Sequence, residues 1–168
     1  MLYLSNGTTI LSVNVTKGVL IASMNNCLLS SKKMDWCTPD YIFDELDLEF
    51  HFDLDPCATP ENAKCDLFYT VDDDGLKQSW IGHSVFCNPP YGRSIKKWVN
   101  HAVLSTLYND DTTVVMLLPA RTDTSYFHDL ILPFARDIRF LRGRITFVGA
   151  STPAPFPSMI VVFGGKKL

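Results

Sequence analysis

At 168 residues, 46% of them hydrophobic, the chain has the size of one globular domain able to bury most of its apolar surface. No apolar run approaches the ~20 residues of a membrane helix, the N-terminus lacks the pattern of a signal peptide, and five cysteines without a C-x-x-C pair suggest neither a disulfide framework nor a zinc site, so reduced thiols in a cytoplasm and no metal are expected. The net charge of −3 hides a division: residues 1–87 carry 5 Lys/Arg against 13 Asp/Glu, and residues 88–168 carry 10 against 5.

In chain order, residues 1–34 read as an N-terminal extension, with Ile10, Val13, Val15, Val19, Leu20 and Ile21 patterned as an extended hairpin broken at Lys17-Gly18. A single compact domain is expected over 35–168. Thr38 is a plausible N-cap with Pro39 in the first helical position, opening a short helix that carries Tyr41, Ile42, Phe43 and Leu46. Leu48, Phe50, Phe52 and Leu54 alternate with polar residues and predict a strand ending at Asp55-Pro56. Thr59–Asn62 starts at most a turn or two of helix before strand Leu67–Tyr69, and Asp72-Asp73-Asp74-Gly75 is a turn. A short helical piece anchored by Leu76 and Trp80 precedes strand Ser84–Cys87. Behind a Ser94 cap, Ile95, Trp98, Val99, Ala102, Val103 and Leu107 predict an amphipathic helix to about Tyr108. Val114–Leu118 is a strand buried on both faces, and a helix from Asp123 or Thr124 to Pro133 follows. Ile138–Leu141, Ile145–Val148 and Met159–Phe163 are strand-like, the last two joined by the Pro-rich loop Ser151–Pro157 as a closing hairpin. The alternation predicts an α/β, mostly parallel, doubly wound sheet that finishes in that antiparallel hairpin.

Asn88-Pro89-Pro90-Tyr91 follows the third of these strands. An exocyclic amino nitrogen attacks poorly until its hydrogens are held and its lone pair is released from the ring. The Asn88 side-chain oxygen accepts one hydrogen and the Pro89 carbonyl the other, two prolines hold both acceptors in place, and Tyr91 offers a face for a base drawn out of its stack. These residues predict amino-group methylation. Ligands bind outside the carboxyl ends of such strands, where Asp55, Asn88 and Arg121 should converge. Carboxylates Asp55 and Asp74, without a G-x-G-x-x-G or Walker pattern, suit ribose hydroxyls and a sulfonium rather than NAD or ATP, and Trp36 is a candidate cover for one cofactor face. Basic residues Arg93, Lys96 and Lys97, and the cluster Arg136, Arg139, Arg142 and Arg144, form a phosphate-binding footprint. For Lys96 and Lys97 a solvated helix face is an equal reading. No serine or cysteine nucleophile is arranged with the scattered histidines.

From about Asp35 to Phe163 the chain resembles the phage-type, Dam-like DNA N6-adenine methyltransferases, a compact branch of the class I S-adenosylmethionine-dependent enzymes. The resemblance lies in one ordered set: Asp35-Trp36-Cys37-Thr38-Pro39, Asp55-Pro56-Cys57-Ala58, Asp74-Gly75-Leu76 with Trp80, Asn88–Gly92, Leu117–Thr124, Arg142-Gly143-Arg144 and Pro155-Phe156-Pro157-Ser158. It implies a Rossmann-like catalytic domain over 35–168, S-adenosylmethionine near Trp36, Thr38, Pro39, Asp55, Pro56, Cys57, Asp74 and Asn88, and adenine in double-stranded DNA as acceptor. It also implies a place in the host cytoplasm, with no membrane partner, and makes Arg93, Arg121, Arg142 and Arg144 the DNA contacts. In place of the first glycine-rich loop stands Asp55-Pro56-Cys57-Ala58, and no separate recognition domain follows, so loops Arg121–Ser125 and Ser151–Pro157, or a second copy in a homodimer, must read the bases. An RNA base or a protein glutamine amide remains an alternative acceptor, since the same turn fits any planar amide-like nitrogen. A silent DNA-binding module is the alternative of another class.

Overall fold

The computed structural model describes residues 36–165, so the hairpin expected within residues 1–34 lies outside the described residues. Helix α1 (Asp40–Phe50) leads into β1 (Leu54–Asp55) and β2 (Leu67–Phe68); β3 (Ser84–Cys87), α2 (Ile95–Thr106) and β4 (Thr113–Pro119) follow. A π-helical turn (Phe127–Ile131) runs into α3 (Leu132–Phe134), and β5 (Asp137–Phe140) and β6 (Ser158–Gly164) complete the chain. The strands form one mixed sheet in the order β2-β1-β3-β4-β6-β5. β2, β1, β3 and β4 are parallel, and β6 lies antiparallel between β4 and β5.

The continuous apolar runs on β4 and β6 make this the centre of the core. Their register pairs Thr113 with Gly164 through Pro119 with Ser158, and Val114–Leu118 and Met159–Phe163 are fully buried, as expected of strands covered on both faces. From β1 the chain moves outward to β2 and then returns to place β3 on the other side of β1. This reversal opens the crevice at the carboxyl ends of β1 and β3, which is where such sheets bind ligands.

Four local expectations need correction. The alternation over Leu48–Leu54 is not a strand: α1 continues to Phe50 and ends where His51 turns left-handed at φ 51°, while Asp47 Oδ1 accepts the Phe52 N–H at 2.7 Å. Leu48, 81% exposed, faces away from the core, and Ile42 and Leu46, one helical turn apart, face it. Thr38 does not cap this helix, since Pro39 is the N-cap and makes no side-chain cap bond; Ser94 is the N-cap of α2 as expected, without a side-chain cap bond. The helix after Thr124 widens into the π turn, with Leu132 N–H bonding Phe127 O. Pro133, which has no N–H and crowds the carbonyl four residues back, accounts for the widening. Ile145–Val148 is not a strand either. The antiparallel partner of β6 is β5, and the Ile145–Val148 backbone is used otherwise: Ile145 O accepts from Ala154 N at 2.8 Å and Val148 N donates to Cys37 O at 3.0 Å.

Arg139 is also spent on the fold rather than held for phosphate. It donates through Nη1 and Nη2 to both Glu49 oxygens (2.6 and 2.7 Å) and through Nε to Asp137 at 2.7 Å, tying α1 to β5, and the Glu49 carboxylate and the guanidinium each hold the other charged. Lys96 bonds Ser125 and pairs with Asp129 at 2.9 Å, joining α2 to the π turn, so the helix-face reading holds for it. Trp80 and Trp98 stack in the interior with centroids 6.0 Å apart, and Trp80 Nε1 donates to Gly75 O at 3.0 Å. That bond presses the turn after β2 against the loop after β1, where a Cβ on Gly75 would lie 2.0 Å from the Pro56 carbonyl oxygen. Gly75→Ala is therefore expected to destabilise the fold by about 1–3 kcal/mol in urea unfolding, the usual cost of overpacking. Gly92→Ala, which meets nothing within 4 Å, serves as the small-effect control.

Candidate active site

The carboxyl end of β3 delivers Asn88 into the crevice, and the segment ahead of α1 meets it there. Asn88 Nδ2 donates to the Trp36 carbonyl oxygen and to Thr38 Oγ1 at 2.9 Å. Because a carbonyl oxygen can only accept, this pairing fixes which end of the amide is the nitrogen. The other end, Oδ1, is buried without a hydrogen-bond partner. Thr38 is itself buried, so its hydroxyl orients the asparagine instead of capping α1.

Asp55 ends the neighbouring strand at 4% exposure. Its Oδ1 accepts the Cys57 N–H and its Oδ2 the Lys64 N–H, each at 3.2 Å, so the carboxylate shapes the Pro56–Lys64 loop. Burial raises its pKa to about 6, against the lowering effect of those two N–H bonds and the Lys64 charge. Pro56 is buried and Cys57 half-buried in the same loop. Lys64 pairs with Asp40 at the start of α1, closing the loop against the segment that carries Trp36, Thr38 and Pro39. Asp74, held at φ 53° and paired with Lys77 at 3.1 Å, reaches the same end of the sheet through the Gly75–Pro56 contact.

Tyr91 is 6% exposed and not an open platform in this structure. Its hydroxyl donates to Leu117 O at 3.1 Å, and burial raises its pKa. Phe147 and Phe156 meet its ring nearly perpendicularly, at centroid distances of 6.3 and 5.6 Å. The same two rings contact Trp36, at 5.0 and 5.6 Å. Four aromatic rings thus adjoin the Asn88 turn, two of them from the stretch after β5. Phe147 was not singled out from sequence, where Ile145–Val148 read as a strand; Phe156 stood in a motif without a role of its own, although its flanking prolines mark it as a side chain held on a shaped loop.

Arg93, Arg121, Arg142 and Arg144 are all exposed. Arg144 Nη1 bonds Ala154 O at 3.3 Å, and Arg142 and Arg144 border a cavity of about 220 Å³ between α1 and β5 that Tyr41 and Glu45 also line. Among the described residues no group of His, Cys, Asp or Glu is placed to hold a metal ion, and no helix is long and apolar enough to cross a membrane. Cys65 and Cys87 are free thiols.

Residues 26–162 match the family model described as DNA N-6-adenine-methyltransferase (Dam). The chain belongs to this family. A DNA N-6-adenine-methyltransferase of Haemophilus phage HP1 is 32% identical over 148 residues, covering 82% of this chain and 84% of its own length. One from Escherichia phage T1 is 34% identical over 94 residues, 55% of this chain and 38% of the phage protein. Family membership makes the reaction adenine-specific DNA methylation. In this methyltransferase the Asn88 amide is held by two hydrogen bonds from its nitrogen. Thr38→Val keeps the shape at position 38 but removes one of its two anchors, a loss of about 1 kcal/mol. The expected result is a kcat reduced by roughly fivefold to tenfold with KM for DNA unchanged, measured by transfer of labelled methyl to DNA.

Proposed function

We propose that the chain transfers the methyl group of S-adenosylmethionine to N6 of an adenine turned out of double-stranded DNA, at the Asn88–Tyr91 turn. The observation that carries this reading is the buried, unpartnered Oδ1 of Asn88, an acceptor oriented by two bonds to its own nitrogen. Buried polar atoms are nearly always paired, and one left open in a strand-end crevice is a place for a substrate donor. An adenine amino group supplies that donor. Asn88 Oδ1 takes one hydrogen and the Pro89 carbonyl the second, so the N6 lone pair is released from the ring. It then bonds the methyl carbon as the carbon–sulfur pair returns to sulfur, and the amino proton leaves to water.

The chain's own residues fit the donor. S-adenosylmethionine supplies the methyl on a positive sulfonium, and the buried Asp55 carboxylate, Asp74, Cys57 and the Trp36–Pro39 segment would hold it. Asp55 keeps lone pairs beyond those used by the Cys57 and Lys64 amides. The strand order, with antiparallel β6 between β4 and β5, supports a Rossmann-like class I arrangement for a catalytic domain over 35–168. Arg93, Arg121, Arg142 and Arg144 contact DNA phosphates, and a homodimer would extend the reading surface. Burial raises the thiol of Cys65, also beset by acidic neighbours, to about 12, and lifts Cys87 well above its ordinary value. Neither supplies a thiolate near neutral pH, which favours direct transfer without a covalent intermediate. An RNA base or glutamine amide fits the turn alone, but the family match and the basic second half favour DNA. The orphaned Asn88 oxygen argues against a silent module.

Asn88→Ala should retain S-adenosylmethionine binding by calorimetry and lose about 10²–10³-fold in turnover on adenine-containing duplex, the scale for removing one preorganised polar group. Turnover within twofold of wild type would reject the role. Asp55 gives a pH signature. Its folded pKa, about 6, lies above its ordinary 3.8, so its contribution to fold stability is full below pH 3.8 and lost as pH rises through 6. A positive ligand favours the ionised form and works in the opposite direction. Affinity for S-adenosylmethionine should fall about tenfold from pH 7 to pH 5, and Asp55→Asn should flatten that dependence.

A further inference from the structure

We propose that Phe156 is a gate: its ring holds the place of the acceptor base against Trp36 and Tyr91, and only a base that can donate to Asn88 displaces it. The inference rests on the proposed reading of the Asn88 turn and adds a residue that discriminates among bases.

Among the described residues, the buried side-chain polar atoms without a partner are Asn88 Oδ1 and Ser158 Oγ. They bracket one loop. Ser158, 1% exposed, directly follows the Gly149–Pro157 loop, and Asn88 is bonded to Trp36, whose ring meets Phe156 at 5.6 Å. With the loop in this position both the catalytic acceptor and the hydroxyl at the loop's root go unsatisfied, a standing penalty that loop movement relieves. The attachments are few. Ala154 N bonds Ile145 O and Ala120 N bonds Pro157 O, each at 2.8 Å, and Ala150 N bonds Phe147 O at 3.0 Å; Arg144 reaches Ala154 O, and Ala154 is the one loop residue buried in the core. Pro153, Pro155 and Pro157 stiffen the segment, Gly149 sits at φ +83° at its start, and Ser151–Pro153 is exposed. Phe147, 2% exposed, is by contrast fixed wall.

A phenyl ring can fill a flat apolar space but donates nothing to Asn88 Oδ1. A base with an exocyclic amino group gains that bond on replacing it. A base without one loses the aromatic contacts of Phe156 and gains no bond, so the competition favours amino-bearing bases.

The test uses the full chain with Phe156→Ala, Phe156→Leu and the ring-retaining Phe156→Tyr. The first readout is acrylamide quenching without DNA. Of the three tryptophans, Trp80 and Trp98 are buried, so the change reports Trp36. The second readout is single-turnover methylation of duplexes whose adenines face thymine or an abasic site. Removing the ring should at least double the quenching constant and raise the rate on abasic-opposed adenine severalfold, with Phe156→Tyr within twofold of wild type. Unchanged quenching, or a tenfold loss of rate on both duplexes, overturns the gate; the latter would make Phe156 part of the wall that holds the base. If Phe156→Ala does not fold, Phe156→Leu is read by the same criteria. A wild-type chain that labels no adenine in either duplex instead rejects the reading of the Asn88 turn, and quenching still judges the Phe156–Trp36 contact.

Discussion

Everything at the crevice depends on the orientation of one side-chain amide. An asparagine at a strand end is ordinarily free to rotate about χ2, and its oxygen and nitrogen differ little in shape. Here the nitrogen is bound to a backbone carbonyl, at Trp36, and to the Thr38 hydroxyl, so the oxygen has only one direction left. An acceptor held in this way before a donor arrives needs no reorganisation to receive it. The pairing also explains why a segment far ahead in sequence belongs to the site. Trp36–Pro39 has to cross the end of β3, and its position is set in turn by the Val148 N–H on Cys37 O and by the Trp36 ring against Phe147 and Phe156.

The same economy governs charge. The acidic half of the chain does not act as one acidic surface, because its carboxylates are used singly. Asp55 closes its loop through two backbone N–H groups, Glu49 is tied to Arg139, and Asp40 pairs with Lys64. In the basic half, Arg139 and Lys96 serve the fold, while Arg93, Arg121 and Arg142 stay exposed. An arginine count overstates the phosphate-binding surface for this reason. The guanidinium best placed between two carboxylates is the one least able to leave them.

Long, strongly patterned elements were legible in the sequence. The β3 run into Asn88, the α2 face, β4 and β6 all stand within about two residues of expectation, because burial on one or both faces leaves a pattern that only one structure satisfies. The segment Leu48–Leu54 misled because alternate apolar residues also arise where a helix ends and an aromatic cluster begins: Phe50 and Phe52 stack at 5.8 Å across that boundary. Ile145–Val148 misled for a related reason. Ile145 and Phe147 point inward as strand residues would, yet the segment's backbone partners are the Ala154 N–H at Ile145 and the Cys37 carbonyl at Val148, and long-range pairing of this kind has no local signature. At the candidate site, Asp55 ends its strand and Asn88 follows its own, as the sequence pattern placed them. The Thr38 bond could not be read, since a threonine before a proline looks like a helix cap whichever group its hydroxyl finds.

This division between legible and hidden residues follows from how the site is assembled. Asn88 and Asp55 are attached directly to buried strands, so their placement is a consequence of the core. Phe156, Arg121 and Arg144 sit on connections between the elements, so the strands do not place them directly. The anchored asparagine differs from them, because moving its oxygen means moving a backbone carbonyl, a buried threonine and the strand end together.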